Sequence, residues 1–460
     1  MSHAVEYKDV LSVSAIGGNL MRAIGIDIGT TSVCGILIDA ATGRIEKSIA
    51  KNSNAFIKGC AVWEKIQSVD KIMTVATGIL ERLIAGGDDV GVIGVTGQMH
   101  GIVYTDKEGN AVSPLYTWQD GRGNLPYKDT TCAKYLSSFS GYGNVTDFYN
   151  AENGIRPESA VSYCTIHDYF VMRLCGLKKP IMHTSDAASF GCYDLENNRF
   201  NYACSAEITG DYRIAGGYKG IPVSVAIGDN QASVFSTLTD EDDVLVNIGT
   251  GSQISVISDK IAESAQIETR PYFEGKYLLV GAALCGGRAY SLLKNFYAEA
   301  FGYIKKVDDN EVYKIMNDML KDSKEGSFKV DTRFAGTRLN SEITGGISGI
   351  TTDNFTPSAL TYGVLCGMAD ELLNMYEQTG VRKSGIVGSG NGIRKNKALV
   401  KIFEEKLGAK MKIPKHLEEA AVGAAMYGMV ARGEFKNRKA VQEIIVYQNN
   451  SPTLIREAAK

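Results

Sequence analysis

Apolar residues recur at two different spacings along the chain, and these spacings predict alternating strands and helices. Residues 26–38 and 246–258 each consist of an apolar run, a polar Gly-Thr turn and a second apolar run, which predicts a β-hairpin. Residues 44–50 predict a third strand beside the first hairpin, and residues 90–95 predict a short buried strand. The charged residues after Arg432 predict a surface segment. Apolar positions three and four residues apart predict helices over 64–84, 360–375, 395–407 and 417–430, with a strand over 383–387.

The two hairpins are similar enough to indicate an internal repeat. Asp27 corresponds to Asn247, an offset of 220 residues. The turn residues match as well: Gly29, Thr30 and Ser32 with Gly249, Thr250 and Ser252. A repeat at about half the chain length indicates a duplicated architecture, and the charged stretch 239–243 suits a connection between the copies. We therefore predict two mixed α/β domains, 21–240 and 241–460, after an N-terminal extension over 1–20.

Composition narrows the class of protein. The 460 residues are 44% hydrophobic, which is sufficient for a sizeable core. With 49 basic and 52 acidic residues the net charge is −3, so no basic field indicates binding to nucleic acid or to an anionic membrane. Glycine is abundant, with 50 residues against 9 prolines, which favours tight turns and close backbone approaches in a folded chain.

Cysteines, histidines and apolar runs exclude further classes. The nine cysteines contain no C-x-x-C pair, and their odd number favours reduced thiols in a cytoplasmic protein. The five histidines form neither H-E-x-x-H nor a zinc-finger pattern, so we predict no structural metal. No apolar run approaches the roughly 18 residues that a membrane helix needs. The first residues lack the basic start and the apolar middle of a signal peptide.

The Gly-Thr turns of the two hairpins are the first candidates for a binding site. A tight turn rich in glycine and hydroxyl groups directs backbone N–H donors at one point, which suits phosphate. Two copies, one in each predicted domain, would grip a polyphosphate from both sides. Asp27 in the first copy would lie near the phosphates and orient Mg²⁺ or its waters. A single Gly-Thr hairpin is also common as plain structure, and the chain has no Walker A sequence.

Two more candidates follow predicted strands. Gly388-Ser389-Gly390-Asn391 precedes a predicted helix, where glycines let a base or a ribose approach the backbone, although an ordinary turn is the alternative. Asp229 lies just before the predicted domain boundary, where it is placed to act as a general base toward a hydroxyl that attacks a phosphate. A helix N-cap aspartate is the alternative interpretation.

Two loops combine polar groups with a flat apolar side chain, as a sugar site needs. They contain Gln98, Met99 and His100, and Trp118, Asp120 and Arg122. A structural histidine at His100 and a core tryptophan at Trp118 are the alternatives.

Together these residues resemble the FGGY carbohydrate kinases, and the resemblance extends over about residues 23–430. The matching stretches are 27–32, 97–101, 228–232, 247–252 and 388–391. The resemblance implies an α/β fold of two duplicated RNase H-like domains, of the actin, Hsp70 and sugar-kinase type, with an interdomain cleft. It implies ATP and Mg²⁺ as cofactors and a small-molecule sugar as substrate. It implies neither nucleic acid nor membrane as a partner, and a homodimer stays open.

The resemblance also implies a role for each matched residue. Asp229 would be the catalytic base, and Asp27 and Asp229 would bind Mg²⁺. The first domain would bind the sugar through Gln98, Met99, His100, Trp118, Asp120, Arg122, Asp229 and Asn230. The nucleotide would be bound by Asp27, Gly29, Thr30, Thr31, Ser32, Gly249, Thr250, Gly251, Gly388, Ser389, Gly390 and Asn391.

The substrate is predicted from finer likenesses within the family. Residues 117–122, 187–191 and 230–234 look closer to the kinases of sedoheptulose, whereas residues 98–101 look like those of xylulose kinases. The resemblance therefore predicts phosphorylation of sedoheptulose at its terminal hydroxyl, which gives sedoheptulose 7-phosphate. Xylulose or another ketose or polyol is the alternative, because one hydroxymethyl group makes a modest energetic difference. A more distant alternative is a nucleotide-switched binding protein like actin or Hsp70, against which Asp229 argues.

Overall fold

A computed structural model describes residues 21–59, 61–87, 89–202, 206–305, 307–321, 328–338, 340 and 342–448 of the chain. The extension predicted over 1–20 lies outside these residues. Within the described ranges, no helix combines the length and the apolar character that crossing a membrane requires. No disulfide bond joins the cysteines of the same ranges.

The described residues form two compact units. The first holds the residues up to Thr239 together with Arg270–Gly275 and Glu418–Ile445. The second holds Asp240–Thr269 and Lys276–Leu417, with the residues from Val446 onward. The change of unit after Thr239 falls at the predicted boundary. The two later segments that join the first unit differ from the predicted second domain, 241–460, which contained them both.

The strands before residue 240 are mostly short, apart from those of the main sheet. They are β1 (Arg22–Ile28), β2 (Ser32–Asp39), β3 (Ile45–Asn52), β4 (Phe56–Ile57), β5 (Ile66–Gln67), β6 (Val90–Gly97), β7 (Val103–Thr105), β8 (Leu115–Tyr116), β9 (Pro126–Tyr127), β10 (Thr130–Thr131), β11 (Ser162–Cys164), β12 (Ile181–His183), β13 (Tyr193–Asp194), β14 (Arg199–Phe200), β15 (Glu207–Thr209), β16 (Ile214–Tyr218), β17 (Ile221–Ser224) and β18 (Ile227–Gly228). The later strands are β19 (Asp243–Ile248), β20 (Ser252–Ser258), β21 (Glu268–Pro271), β22 (Tyr277–Ala283), β23 (Lys329–Asp331), β24 (Gly346–Ser348), β25 (Gly385–Ser389) and β26 (Met411–Lys412).

The helices alternate with these strands. They are α1 (Val69–Ile84), α2 (Cys132–Tyr135), α3 (Gly143–Glu152), α4 (Ile166–Leu174), α5 (Thr184–Ser189), α6 (Asp229–Thr237), α7 (Gly286–Gly302), α8 (Asp309–Met319), α9 (Pro357–Gln378), α10 (Gly390–Lys395), α11 (Lys397–Leu407), α12 (Glu419–Arg432) and α13 (Arg438–Gln442).

The main sheets of the two units share a topology of five strands. These are β17-β6-β1-β2-β3 in the first sheet and β26-β25-β19-β20-β22 in the second, and β16 and β21 extend the two sheets at opposite edges. In each sheet a central strand, β1 or β19, pairs antiparallel with the next strand and parallel with a later one. Asp27 pairs with Thr96 across the first parallel pair, and Asn247 pairs with Ser389 at the equivalent place. The duplicated mixed α/β architecture is thereby confirmed.

Each unit builds its own apolar core. In the first unit, Ile72 and Leu83 of α1 and Phe170 of α4 are at most 1% exposed. In the second unit, Leu372 of α9 and Phe403 of α11 are fully buried. The helices therefore bury the apolar faces that their sequence spacing predicted.

Most predicted elements end within three residues of their observed bounds, with two exceptions. Helix α1 begins only at Val69, because the preceding residues form β5 and the Ser68 side chain accepts a hydrogen bond from the Lys71 N–H at 3.3 Å. The tail after Arg432 is not wholly a surface segment, because Gln442 of α13 is 2% exposed and donates to backbone carbonyls of the first unit.

Backbone contact without intervening side chains holds α12 in the first unit. A Cβ atom on Gly25 of β1 or on Gly94 of β6 would lie 1.8 Å from a carbonyl oxygen of α12. A Cβ atom on Gly423 of α12 would lie 1.8 Å from the carbonyl oxygen of Ala232 in α6. Only glycine fits at such distances, so these glycines explain why residues 418–445 leave the predicted second domain.

We expect Gly423→Ala to destabilise the protein, because its methyl group would overlap the Ala232 carbonyl. Overpacking of this kind costs about 1–3 kcal/mol. Gly78→Ala is the matched control, since Gly78 is also helical and a Cβ atom there meets nothing within 4 Å. That change should leave stability equal or higher by up to about 1 kcal/mol. Urea denaturation measures both, and equal responses would contradict the close approach of α12 to α6.

Candidate active site

The first Gly-Thr turn lies between β1 and β2 and is held by two side chains. Gln67 Nε2 donates to the Thr30 carbonyl oxygen at 2.6 Å. Trp118 Nε1 donates to Thr30 Oγ1 at 2.9 Å, while the indole is 46% exposed. Thr31 is exposed, and Gly29 is half-buried. The turn is therefore fixed in shape while part of it remains accessible to a ligand, with the apolar face of Trp118 beside it.

A chain of amides connects this turn to the predicted sugar loop. Gln98 Nε2 donates to Gln67 Oε1 at 3.0 Å, and Gln67 in turn donates to Thr30. Gln98 is 3% exposed, and its Oε1 has no hydrogen-bond partner among the described residues. That oxygen can accept a hydrogen bond from a ligand hydroxyl. Gln67 was missed by the sequence analysis, because a single glutamine before a helix carries no pattern.

Met99 is buried and serves packing, whereas His100 is half-buried and held in place by neighbouring groups. Met99 is 4% exposed, and a Cβ atom on Gly228 would lie 2.7 Å from its terminal methyl group, so Met99 packs beneath the start of α6. His100 has a positive φ of 72° and is half-buried. Its Nδ1 lies 2.7 Å from the Ser189 carbonyl oxygen, and its ring stacks on Tyr142 with centroids 4.3 Å apart. His100 is thus held in one orientation.

Asp120 and Arg122 are occupied by each other. Arg122 Nε and Nη2 donate to the Asp120 carboxylate at 2.6 and 3.1 Å, and Nη1 donates to Asn150. The guanidinium also lies over the Tyr116 ring, 4.2 Å from its centroid. Both Asp120 and Arg122 are 1% exposed. This ion pair fixes the loop that carries Trp118, and the predicted contact of Asp120 and Arg122 with a sugar stays a prediction.

Asp229 is the first residue of α6, and Gly228 occupies the N-cap position. The N-cap interpretation of Asp229 therefore does not hold, and its carboxylate is available for another role. Burial raises the pKa of Asp229, while the positive charge of Arg270, the neighbouring His167 and the Asn230 backbone N–H oppose that rise.

Asp27 and Asp186 are acidic neighbours of Asp229 in the first unit, and Glu418 is in turn a neighbour of Asp27. Burial and the negative charges of Asp229 and Glu418 raise the pKa of Asp27 to about 7. Glu418 immediately precedes α12 and also faces Cys34, whose pKa is raised by burial and by this carboxylate. Neighbouring carboxylates of this kind supply the oxygen ligands that Mg²⁺ prefers.

A basic residue, Arg270, opposes the negative charge of Asp229. It is 5% exposed, and the carbonyl of the next residue, Pro271, accepts a hydrogen bond from Gln231 Nε2 of α6 at 3.1 Å. The sequence analysis missed Arg270 and Glu418. No motif marks either one, and only the packing of distant segments on α6 and β1 brings them near Asp229 and Asp27.

The second Gly-Thr turn belongs to the second unit and is exposed from Gly249 to Gly251. It lies against the N-terminus of α7. The N–H of Gly287 donates to the Gly249 carbonyl oxygen and the N–H of Arg288 to that of Thr250, each at 3.0 Å. A helix N-terminus favours anions, so α7 strengthens the case for phosphate at this turn. The Gly286-Gly287 pair at the end of an apolar run was the signal that could have revealed it.

The predicted adenosine loop lies beside the second turn, in the same unit. Asn247 Nδ2 donates to Ser389 Oγ at 2.7 Å. Gly388 and Ser389 are buried at the end of β25, whereas Asn391 is exposed. Gly390 has a φ of 79°, and a Cβ atom there would lie 2.5 Å from the Ile248 carbonyl oxygen, so glycine is required. Of the four loop residues, only Asn391 is exposed, and Gly390 is half-buried.

Family models match both halves of the chain. The FGGY family of carbohydrate kinases is matched by its N-terminal domain over residues 22–130 and by its C-terminal domain over residues 244–432. The chain belongs to the FGGY family of carbohydrate kinases. It is accordingly a sugar kinase whose substrate is a small carbohydrate, and the family predicted from the motifs is confirmed.

Curated relatives extend over most of the chain. Sedoheptulokinase of Mus musculus is 28% identical over an alignment of 437 positions, which covers 82% of this chain and 90% of the relative. Sedoheptulokinase of Homo sapiens is 27% identical over an alignment of 466 positions, which covers 88% of this chain and 96% of the relative.

Solved structures share the fold. A ligand-bound xylulose kinase from Lactobacillus acidophilus has a TM-score of 0.79 at 17% identity, over 93% of both chains. A gluconate kinase from the same organism has a TM-score of 0.80 at 18% identity, also over 93% of both chains. These likenesses establish the two-domain sugar-kinase fold.

We expect Arg122→Met to unfold the protein more easily, because it leaves the Asp120 carboxylate buried without its partner. Breaking a buried ion pair costs about 3–5 kcal/mol. Lys321→Met is the control, since the Lys321–Asp318 ion pair is exposed and its loss should have no measurable effect. Chemical denaturation distinguishes the two. Unchanged stability together with a raised KM for the sugar would instead return Arg122 to the sugar site.

Proposed function

We propose that this FGGY kinase transfers the γ-phosphoryl group of ATP to the terminal hydroxyl of sedoheptulose, giving sedoheptulose 7-phosphate. Family membership supports phosphoryl transfer to a sugar. The seven-carbon ketose is supported by the curated relatives named sedoheptulokinase, whose lengths the chain covers by 90% and 96%. In this proposal the first unit binds the sugar and the second binds the nucleotide.

The position of Asp229 carries the proposal. Asp229 lies at the first position of α6, is not used as a cap, and has a pKa raised by burial. A carboxylate of raised pKa is a stronger base, so it accepts the proton of the attacking hydroxyl more readily. Gln98 Oε1 and the face of Trp118 supply a hydrogen-bond acceptor and an apolar platform for the sugar in the same unit.

The nucleotide is assigned to the second unit. The exposed turn Gly249–Gly251 and the N-terminus of α7 would hold phosphates, and the half-buried Gly390 and the exposed Asn391 would contact the adenosine. Mg²⁺ would be held by the carboxylate oxygens of Asp27 and Asp229, with Glu418 as a further carboxylate near Asp27. Bound there, it would neutralise charge on the transferring phosphoryl group.

The experiment that tests the proposal measures ADP release over a panel of sugars. Sedoheptulose, xylulose, ribulose, fructose and glycerol are compared by kcat/KM with Mg-ATP, and sedoheptulose should rank first. Asp229→Asn should lower kcat by about 10²–10⁴-fold, because it removes the base, and should weaken ATP binding in calorimetry far less, because Asp229 is only one of the groups assigned to Mg²⁺.

Each alternative has its own outcome in this experiment. A preference for xylulose would show that the substrate is xylulose, and the proposed mechanism would stay the same. Near-normal turnover in Asp229→Asn would remove Asp229 from the role of base. Slow ATP hydrolysis that no sugar stimulates would favour a nucleotide-switched binding protein and contradict the proposed activity.

Arg270 gives a second prediction for the same site. Its positive charge lowers the pKa of Asp229, so Arg270→Met should lower kcat by about tenfold or more, with a smaller effect on the KM for the sugar. Arg270→Lys keeps the charge and should restore part of the rate. Steady-state kinetics measures the separate effects on kcat and KM, and circular dichroism checks that each variant is folded. Equal losses in both variants would indicate that Arg270 acts by packing alone.

A further inference from the structure

Thr30, in the turn between β1 and β2, accepts hydrogen bonds at two of its atoms from two different segments. Its backbone carbonyl oxygen accepts from Gln67 Nε2 at 2.6 Å, and its Oγ1 accepts from Trp118 Nε1 at 2.9 Å. Gln67 is fully buried, whereas the Trp118 side chain is 46% exposed. Thr30 itself is half-buried and Thr31 is exposed. The turn therefore has a fixed geometry at a place that a ligand can reach.

The two donors belong to one small sheet, so their spacing is fixed. Gln67 lies in β5 and pairs with Leu115 of β8, and Trp118 follows shortly after β8. The Thr117 N–H, between β8 and Trp118, donates to the Lys65 carbonyl oxygen at 3.1 Å. Movement of either donor relative to Thr30 would have to break this pairing.

The chemistry of the donors fixes the direction of every hydrogen bond at Thr30. A carbonyl oxygen can only accept, so Gln67 must turn its NH₂ group toward the Thr30 carbonyl. Gln67 Oε1 then faces Gln98 and accepts from its Nε2 at 3.0 Å. The orientations of both amides follow from this chain, which holds the backbone of Thr30 in place from the buried side.

The same reasoning applies to the Thr30 hydroxyl. An indole N–H can only donate, so Thr30 Oγ1 must accept from Trp118 through one lone pair. The hydroxyl proton is then directed away from the indole. Within the part of the chain that the structure describes, Thr30 Oγ1 donates this proton to no other group. An anionic phosphoryl oxygen is a suitable acceptor, because hydrogen bonds to charged oxygens are among the strong ones.

We propose that Trp118 is a positioning residue for phosphoryl transfer, whose indole N–H orients the Thr30 hydroxyl to donate to an oxygen of the phosphoryl group being transferred. The inference rests on the proposed function, in which the face of Trp118 carries the sugar. Thr30 Oγ1 lies one hydrogen bond from that ring, so the phosphate that it reaches is the one that meets the sugar. A donor oriented before the reaction stabilises charge in the transition state without reorganisation.

The test begins with Trp118→Phe, which keeps a flat apolar ring and removes the N–H donor. Turnover is measured with Mg-ATP and the sugar that ranks first among sedoheptulose, xylulose, ribulose, fructose and glycerol. We expect kcat to fall about tenfold, with a smaller change in the KM for the sugar. Trp63→Phe is the matched control, since the Trp63 side chain contacts Tyr149 and Arg122 through its ring, and it should keep the kcat of the wild type.

A double variant shows whether Trp118 acts through Thr30. Thr30→Val removes the hydroxyl with little change of shape and should lower kcat by about 10²-fold. In the Thr30→Val background, Trp118→Phe should then cause no further loss, because the group that it orients is already absent. Thr30→Ser should keep most of the rate and its sensitivity to Trp118→Phe. A tenfold loss in the Thr30→Val background, or a raised KM for the sugar with unchanged kcat in Trp118→Phe, would overturn the inference.

A second measurement needs no substrate. The chain has two tryptophans, so ¹⁵N-tryptophan labelling gives two indole N–H signals in an NMR spectrum, and Trp118→Phe identifies that of Trp118. Thr30→Val should shift this signal and speed its exchange with water, while the Trp63 signal stays in place. An unchanged Trp118 signal would overturn the inference.

Failure of the inference can be told apart from failure of the proposed function. Wild-type turnover with a sugar, combined with an unchanged kcat in Trp118→Phe, would overturn the inference alone. Wild-type protein that no sugar stimulates would contradict the proposed function, and the inference would be overturned with it.

Discussion

The arrangement of the first unit depends on backbone contact between α12 and its neighbours. Gly25, Gly94 and Gly423 leave no side chain between α12, the strands β1 and β6, and α6. Three of these four elements contain or adjoin an acidic residue. Asp27 is the second-last residue of β1, Asp229 begins α6, and Glu418 immediately precedes α12. Their electrostatic coupling is therefore a consequence of close packing.

Packing three carboxylates closely together raises the free energy of the folded state unless a positive charge lies near them. Arg270 supplies part of that positive charge, and it belongs to a separate segment of the chain that joins the first unit. Phe273 anchors that segment, since its ring is 1% exposed and lies 4.9 Å from Phe235 and 5.6 Å from Tyr427, between ring centroids. The aromatic cluster thus holds a distant arginine near the candidate base, and Mg²⁺ would supply the remaining charge in the proposed function.

Local pattern predicted those features that a short stretch of chain forms by itself. The two hairpins, most of the helices and the position of Asp229 after a strand all depend on residues that are neighbours in sequence. Repetition of one hairpin pattern also predicted the duplicated topology. The sequence was a weaker guide to function where a polar residue can serve either the structure or the binding of a ligand. Asp120 and Arg122 have the composition of a sugar loop, but bidentate pairing in a buried position occupies them.

By itself, the sequence determined the fold class, the family and the two Gly-Thr turns, because these depend on hydrophobic periodicity and on residues close together in the chain. Tertiary structure alone decided which distant residues surround them. It returned α12 to the first unit and brought Glu418 to Asp27 and Arg270 to Asp229. It also brought Gln67 and Trp118 to Thr30. The physical reason is that charge coupling and burial depend on distance in space, which only the packing of glycine backbones and aromatic rings establishes.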